Sequence, residues 1–181
     1  VTGSGKTEVY LRLVERMLAA GKQVLLLVPE INLTPQLESR VRARFPEAVV
    51  VSLHSELAEA ARERNWRAAL AGEAGIVLGT RLAIFAPMPR LGLIVVDEEH
   101  DPSFKQQDGM RYSARDVAVF RARQLGIPIL LGSATPSLES WANAQGRRYG
   151  LLTLRERANP AAVLPAVDLL DTRKMVLKEG V

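Results

Sequence analysis

Apolar positions fall into two alternating rhythms along the chain. Between residues 7 and 20 they recur three or four apart, at Tyr10, Leu11, Val14 and Leu18, and Gly21 follows where such a helix would stop. Residues 23–28 (Gln-Val-Leu-Leu-Leu-Val) have no polar break after their first position, which marks a strand covered on both faces. The two rhythms then repeat. Thr34-Pro35 supplies a capping threonine and a first-turn proline for a helix start. Residues 49–53 predict a strand, 56–71 a helix, and 76–78 and 91–96 two more strands. A helix over 113–125 would turn Ala114, Ala118, Ala122 and Leu125 inward, and a strand follows over 127–131. Thr135-Pro136 reads as a second capped helix start, with the helix ending near Gly146. Weaker strand signals lie at 149–154 and 167–170. Strands alternating with helices make βαβ units, so the expected fold class is α/β: a mostly parallel sheet with helices on both faces. The related hexapeptides beginning at Thr34 and Thr135 are two similar helix starts, not an internal duplication. Residues 158–165, which include Pro160 and Pro165, are linker-like. The expected division is a lobe over 1–157 and a linker with a charged tail over 158–181.

The loops at the ends of these strands carry the chemistry. Val1-Thr2-Gly3-Ser4-Gly5-Lys6-Thr7 is most of a phosphate-binding loop of the form G-x-x-x-x-G-K-[ST]. Its opening glycine would lie one residue before Val1, which makes a fragment of a longer protein the expectation. Glycines allow backbone N–H groups to surround phosphate oxygens, and the following helix points its positive end at the same anion. In this reading Gly3, Ser4, Gly5 and Glu8 give backbone donors, Lys6 reaches the β- and γ-phosphates, and Thr7 offers its hydroxyl to Mg²⁺. The alternative is a glycine-rich turn before an ordinary helix. Farther on, Leu93-Ile94-Val95-Val96-Asp97-Glu98-Glu99-His100 is an apolar strand ending in acids. At the carboxyl end of a parallel strand, those acids face the ligand crevice. Asp97 is the candidate Mg²⁺ ligand and Glu98 the candidate general base; a solvated acidic turn is the alternative. Ser133-Ala134-Thr135 follows another apolar strand, where Ser133 and Thr135 could bond the 97–100 turn and His100 could link it to the nucleotide site.

Composition narrows the classes. The chain has 181 residues, 48% of them hydrophobic and 24% charged, which fits a globular chain and not a disordered one. It has no cysteine, so disulfides, thiolate zinc sites and a cysteine nucleophile are excluded within it. No apolar run approaches the ~20 residues of a membrane span, no signal peptide is evident, and a cytoplasmic setting is expected. A net charge of +4 permits a nucleic-acid partner without requiring one.

The order of motifs is specific. Gly3-Ser4-Gly5-Lys6-Thr7, Gly79-Thr80-Arg81, Asp97-Glu98-Glu99-His100 and Ser133-Ala134-Thr135 resemble motifs I, Ib, II and III of superfamily 2 helicases. Val28-Pro29-Glu30-Ile31, Leu33-Thr34-Pro35-Gln36, Lys105-Gln106-Gln107, Arg111-Tyr112 and Gly132-Ser133-Ala134-Thr135-Pro136 are similar to the bacterial replication-restart helicases in particular. The resemblance implies the first RecA-like lobe of an ATP-dependent 3′-to-5′ DNA helicase that uses ATP and Mg²⁺. Its implied partners are single-stranded and forked DNA, other primosome proteins and single-stranded-DNA-binding protein, with no membrane. It implies a second lobe with an arginine finger and a zinc module outside this chain. It also implies DNA contacts at Thr34, Gln36, Thr80 and Arg81. A coupling loop would carry Phe104, Lys105, Arg111 and Tyr112, with Arg115 a further cation; aromatics, amides and cations interleave there as base stacking and phosphate neutralisation require. Another superfamily 2 translocase, a small-molecule P-loop kinase, or a fragment that only binds nucleotide remain alternatives. Arg40, Arg42 and Arg44 are expected on a solvated face, His54 in a turn, and Trp66 and Trp141 in packing.

Overall fold

The computed structural model describes residues 4–156 and 158. Among the described residues five parallel strands form the sheet: β1 (Gln23–Leu27), β2 (Val50–Leu53), β3 (Ile76–Gly79), β4 (Leu91–Asp97) and β7 (Ile129–Gly132), in the order β2-β3-β1-β4-β7. A two-stranded antiparallel hairpin, β5 (Lys105–Gln106) with β6 (Tyr112–Ser113), stands apart from it. The helices are α1 (Lys6–Ala19), α2 (Pro35–Arg44), α3 (Glu59–Leu70), α4 (Ala114–Leu125) and α5 (Leu138–Gln145). This is the α/β architecture expected, with short 3₁₀ turns at Glu30–Asn32, Arg81–Phe85 and Pro102–Phe104 that periodicity does not reveal.

The alternation of side chains across each strand builds two cores. Val24 and Leu26 of β1, Ile76 and Leu78 of β3, and Leu93 and Val95 of β4 pack with Tyr10, Leu11 and Val14 of α1 and Val41 of α2. Their neighbours Leu25, Leu27, Val77, Ile94 and Val96 face the other way, onto Ala69 of α3, Phe104, and Ala114, Ala118 and Ala122 of α4. Both faces being covered, the central strands read as unbroken apolar runs. Gln23, at the start of β1, is a buried polar residue among them. It is 1% exposed and fully engaged: its Nε2 donates to the carbonyls of Ala69 (3.1 Å) and Ala74 (2.8 Å), and its Oε1 accepts from the Arg90 N–H (3.0 Å).

Several boundaries differ from the sequence expectation. The helix expected from residue 56 begins at Glu59, after a turn in which the Leu57 N–H reaches the His54 carbonyl. The helix expected from Thr135 begins at Leu138, because Ser137 is the residue that caps it, accepting from the Ser140 N–H at 3.2 Å. Residues 149–154 form no strand. Leu125 is 52% exposed, not inward: Gly126 (φ 63°) ends α4 with the Ile127 N–H on the Ala122 carbonyl, and Ile127 takes the inward place. Trp66 and Trp141 are partly exposed at 37% and 46%. The strand expected at 167–170, Gly3, and the 159–181 tail lie outside the described residues. Among the described residues no helix is long and apolar enough to cross a membrane.

Ile94 lies fully buried at the centre of β4, between β1 and β7. Ile94→Ala is expected to cost about 2–5 kcal/mol, read as a lower chemical-denaturation midpoint with an unchanged slope.

Candidate active site

The carboxyl ends of the parallel strands and the start of α1 meet at one edge of the sheet. Gly5 caps α1 with φ 85°, a left-handed conformation that a side chain would strain. Lys6 and Tyr10 follow on one face of the helix, four residues apart, and both reach the acidic end of β4. The Lys6 Nζ lies 3.0 Å from Glu98 Oε1. The Tyr10 hydroxyl donates to Asp97 Oδ1 at 3.1 Å. Gly132 pairs with Asp97 across β4 and β7, and a Cβ there would collide with the Tyr10 hydroxyl, so glycine keeps this approach open. Thr7 is exposed on the first turn of α1. Glu8 departs from expectation. Its N–H is engaged by the Gly5 carbonyl at 3.0 Å, and its carboxylate pairs with Arg12 on the outer face of the helix.

The turn after Asp97 sends three successive side chains in different directions. Glu98 has a positive φ of 47°, rare for a residue with a side chain, and the Asp101 N–H closes on its carbonyl at 2.8 Å. Glu98 Oε2 also faces His100 Nδ1 at 3.6 Å. His100 in turn meets the loop after β7. Its Nδ1 lies 2.7 Å from Ser133 Oγ and its Nε2 lies 3.3 Å from Thr135 Oγ1, while the Thr135 N–H donates to Ser133 Oγ at 2.9 Å. Glu99 points inward and is 3% exposed. It accepts from Arg115 Nη1 (3.2 Å), the Ser137 N–H (2.8 Å) and hydroxyl (3.0 Å), and the Ser140 hydroxyl (2.9 Å).

Several residues expected at a DNA surface are placed elsewhere. Phe104 is 2% exposed in the core beneath α4, where burying its ring stabilises the fold. Thr80 is 2% exposed, so its hydroxyl does not reach the surface. Arg81 donates to the carbonyls of Ser103 (2.9 Å) and Lys105 (3.2 Å), fastening the segment before the hairpin. Tyr112 is half-buried, edge-on to Phe85 with centroids 5.0 Å apart. Arg115 is 6% exposed and committed to Glu99 and Asp116, not to solvent. Thr34 uses its hydroxyl to cap α2, accepting from the Leu37 N–H at 3.2 Å. Gln36, Lys105 and Arg111 are exposed, as is the hairpin tip at 107–111. Of the helical arginines, Arg42 pairs with Glu38 at 2.6 Å and Arg44 with Glu15 at 3.3 Å on the solvated face.

The site's own electrostatics leave it short of positive charge. Burial, and then the neighbouring charge of Glu98, push the Asp97 carboxyl above its ordinary value, while Tyr10 and Lys6 oppose this. Burial, and then Asp97, likewise raise the Tyr10 hydroxyl. The Ser4 hydroxyl is buried without a hydrogen-bond partner among the described residues. An orphaned hydroxyl in a glycine turn, a lysine at a helix start and an under-neutralised aspartate suit a phosphate group with a divalent cation. A raised carboxyl binds its proton more readily folded than unfolded. Its ionisation therefore costs stability above the folded value, and the cost fades as pH falls through that value. Asp97→Asn is accordingly expected to raise the ligand-free melting temperature near neutral pH and to flatten its dependence on acid, while losing any stabilisation by Mg²⁺. Calorimetry across pH, with and without Mg²⁺ and nucleotide, checks both.

Comparison with known proteins follows the same lines. Residues 1–144 match the family model described as DEAD/DEAH box helicase. Replication restart protein PriA of Bacillus subtilis (strain 168) is 49% identical over 174 residues, covering 96% of this chain and 21% of that protein. The protein of the same name in Haemophilus influenzae is 52% identical over 164 residues, covering 91% of this chain and 22% of that protein. The chain thus spans about a fifth of the length of these curated relatives. A solved structure of RecG bound to a three-way DNA junction is similar with a TM-score of 0.55 and 25% identity, over 78% of this chain and 18% of that one. The mostly parallel sheet corresponds to the RecA-like lobe of such proteins, whose family uses ATP and Mg²⁺ in general. With the family model matched from residue 1 to residue 144 and the loop, acid and serine-threonine elements converging on one sheet edge, the chain belongs to the DEAD/DEAH box helicase family.

Proposed function

We propose that this chain is the first ATP-binding lobe of a 3′-to-5′ DNA helicase that acts in replication restart. The observation that carries the reading is the contact of Lys6 with Glu98 at 3.0 Å beside Asp97, bringing the phosphate loop onto the acidic strand end. Lys6 and Glu98 neutralise each other without ligand. With phosphate oxygens present, Lys6 gains a more highly charged partner, and Glu98 is released to accept a proton from the attacking water. Thr7 and Asp97 would hold the cation, and Gly3, Ser4 and Gly5 the phosphate oxygens. When bound, Mg²⁺ supplies charge neutralisation across the phosphates. Ser133, Thr135 and His100 would hold Glu98 in register with the loop after β7.

DNA is the proposed second ligand. The names of the relatives and the DNA junction bound by RecG support it, as do exposed Gln36, Lys105 and Arg111 on the same lobe. Phosphate contacts from such loops grip a single strand without reading its sequence. Forked DNA, other primosome proteins and single-stranded-DNA-binding protein are the proposed partners, in the bacterial cytoplasm. A transition-state arginine is proposed to come from a second lobe, so this lobe alone is expected to hydrolyse ATP very slowly.

In the full-length protein, Lys6→Ala and Glu98→Gln are each expected to lower DNA-stimulated ATP hydrolysis by about 10²–10⁴-fold and to abolish unwinding of forked DNA. Retention of wild-type unwinding by both would overturn the site assignment, and ATP turnover indifferent to DNA would favour a small-molecule kinase. Arg111→Ala is expected to weaken DNA stimulation while nucleotide affinity, read by fluorescence of a labelled ATP analogue, holds.

A further inference from the structure

Tyr10 stands one helical turn after Lys6 and is 5% exposed. Its ring lies in the apolar core with Leu11, Val14, Leu93 and Val95. Packing alone would be met there by phenylalanine or leucine, and a buried hydroxyl costs stability unless it is hydrogen-bonded. The hydroxyl is carried to the edge of that core and donates to Asp97 Oδ1 at 3.1 Å. Room for it depends on Gly132, level with Asp97 on β7, where an added Cβ would run into both the hydroxyl and the ring carbon that bears it. Glycine at a strand position forgoes side-chain packing, and here the Tyr10 phenol fills the space it leaves. The helix α1 therefore touches the end of β4 at two points, Lys6 on Glu98 and Tyr10 on Asp97. The two differ in kind. A phosphate group competes for the Lys6 ammonium, whereas a phenol hydroxyl has no charge to be drawn away.

We infer that Tyr10 is a positioning residue for Asp97: its hydroxyl holds the carboxylate in the orientation that a small, geometrically demanding divalent cation requires, and so favours Mg²⁺ over Ca²⁺ at this site. The inference rests on the nucleotide-site reading and deepens it. A neutral donor on one oxygen limits rotation of the carboxyl group without neutralising it, where a lysine or arginine in the same place would compete with the cation. Mg²⁺ demands near-ideal octahedral coordination, whereas Ca²⁺ accepts a variable number and arrangement of oxygen ligands. Loss of orientation at one carboxylate therefore falls mainly on Mg²⁺. The bond also outlasts the exchange at Lys6. When phosphate draws the ammonium from Glu98, the Tyr10 hydroxyl still ties α1 to β4 and keeps Asp97 beside the phosphate loop.

The test uses the full-length protein, with a fluorescent ATP analogue as the probe and binding, not turnover, as the readout. The analogue's Kd is measured without divalent cation. The cation concentration that half-completes its tightening is then read for Mg²⁺ and for Ca²⁺. Tyr10→Phe keeps the ring and removes the hydroxyl. It is expected to raise the Mg²⁺ half-point about tenfold. The Ca²⁺ half-point and the cation-free Kd are expected to stay within about twofold of wild type. Gly132→Ala pushes the same hydroxyl away from Asp97 with the phenol intact, and is expected to show the same Mg²⁺-selective loss; it decides the matter should Tyr10→Phe not fold. A cation-free Kd that weakens as much as the Mg²⁺ half-point, equal shifts for Mg²⁺ and Ca²⁺, or an unshifted Mg²⁺ half-point in folded Tyr10→Phe overturns the inference alone. A wild-type protein whose binding of the analogue no divalent cation tightens overturns the nucleotide-site reading, and this inference with it.

Discussion

Three consecutive carboxylates leave the end of β4, immediately after six buried residues. Charges of one sign so close together, at the edge of a low-dielectric core, repel one another strongly unless each has its own compensation. Each is compensated differently. Asp97 takes a neutral hydroxyl from Tyr10, Glu98 an ammonium from Lys6, and Glu99 a guanidinium with two serines. Much of the lobe's layout supplies those partners: α1 brings Tyr10 and Lys6, α4 brings Arg115, and the segment after β7 brings Ser137. The least well compensated is Asp97, whose carboxyl is pushed up by burial and Glu98. A hydroxyl cannot neutralise it, and a divalent cation can.

The strand order explains why these partners are within reach. β1 and β4 are central and adjacent, with β7 beside β4, so the loops after β4 and β7 emerge side by side at the carboxyl edge. Parallel pairing brings Asp97 level with Gly132. The missing side chain at Gly132 admits the Tyr10 ring, and the next residue, Ser133, meets His100. The sheet thus converts positions distant in sequence into a cluster, and its outer strands β2 and β7 complete the surface for the helices.

What could be read without the structure follows from how local each signal is. The apolar runs of β1, β3 and β4 and the loop Ser4-Gly5-Lys6-Thr7 are local patterns, and they are where the sequence places them. The ends of α3 and α5 are set by which cap forms, and Ser137 outcompetes Thr135 because Thr135 is occupied with Ser133 and His100. Phe104 and Arg115 were beyond local reading. Both sit in a stretch of mixed aromatics and cations that suits a solvated loop equally well, and only the tertiary partners decide that the ring enters the core and the guanidinium closes on Glu99. Tyr10 had a visible signal: a hydroxyl on an otherwise apolar helix face, four residues after Lys6, must find a polar partner when buried.

The positive φ at Glu98 bears on how one strand end presents consecutive carboxylates to different neighbourhoods. In an extended strand, successive side chains would point to opposite faces of the sheet, and Glu98 and Glu99 would both lie along the layer boundaries. The left-handed turn instead rotates the chain so that Glu98 faces the phosphate loop while Glu99 enters the space between α4 and α5. Such a conformation costs of order 1–3 kcal/mol for a residue with a side chain, and it persists only where its surroundings over-determine it. Here the Asp101 N–H, the Lys6 ammonium and the four donors on Glu99 do so. Relaxing either set of bonds would free the peptide between them to rotate, so the two sets hold the turn jointly.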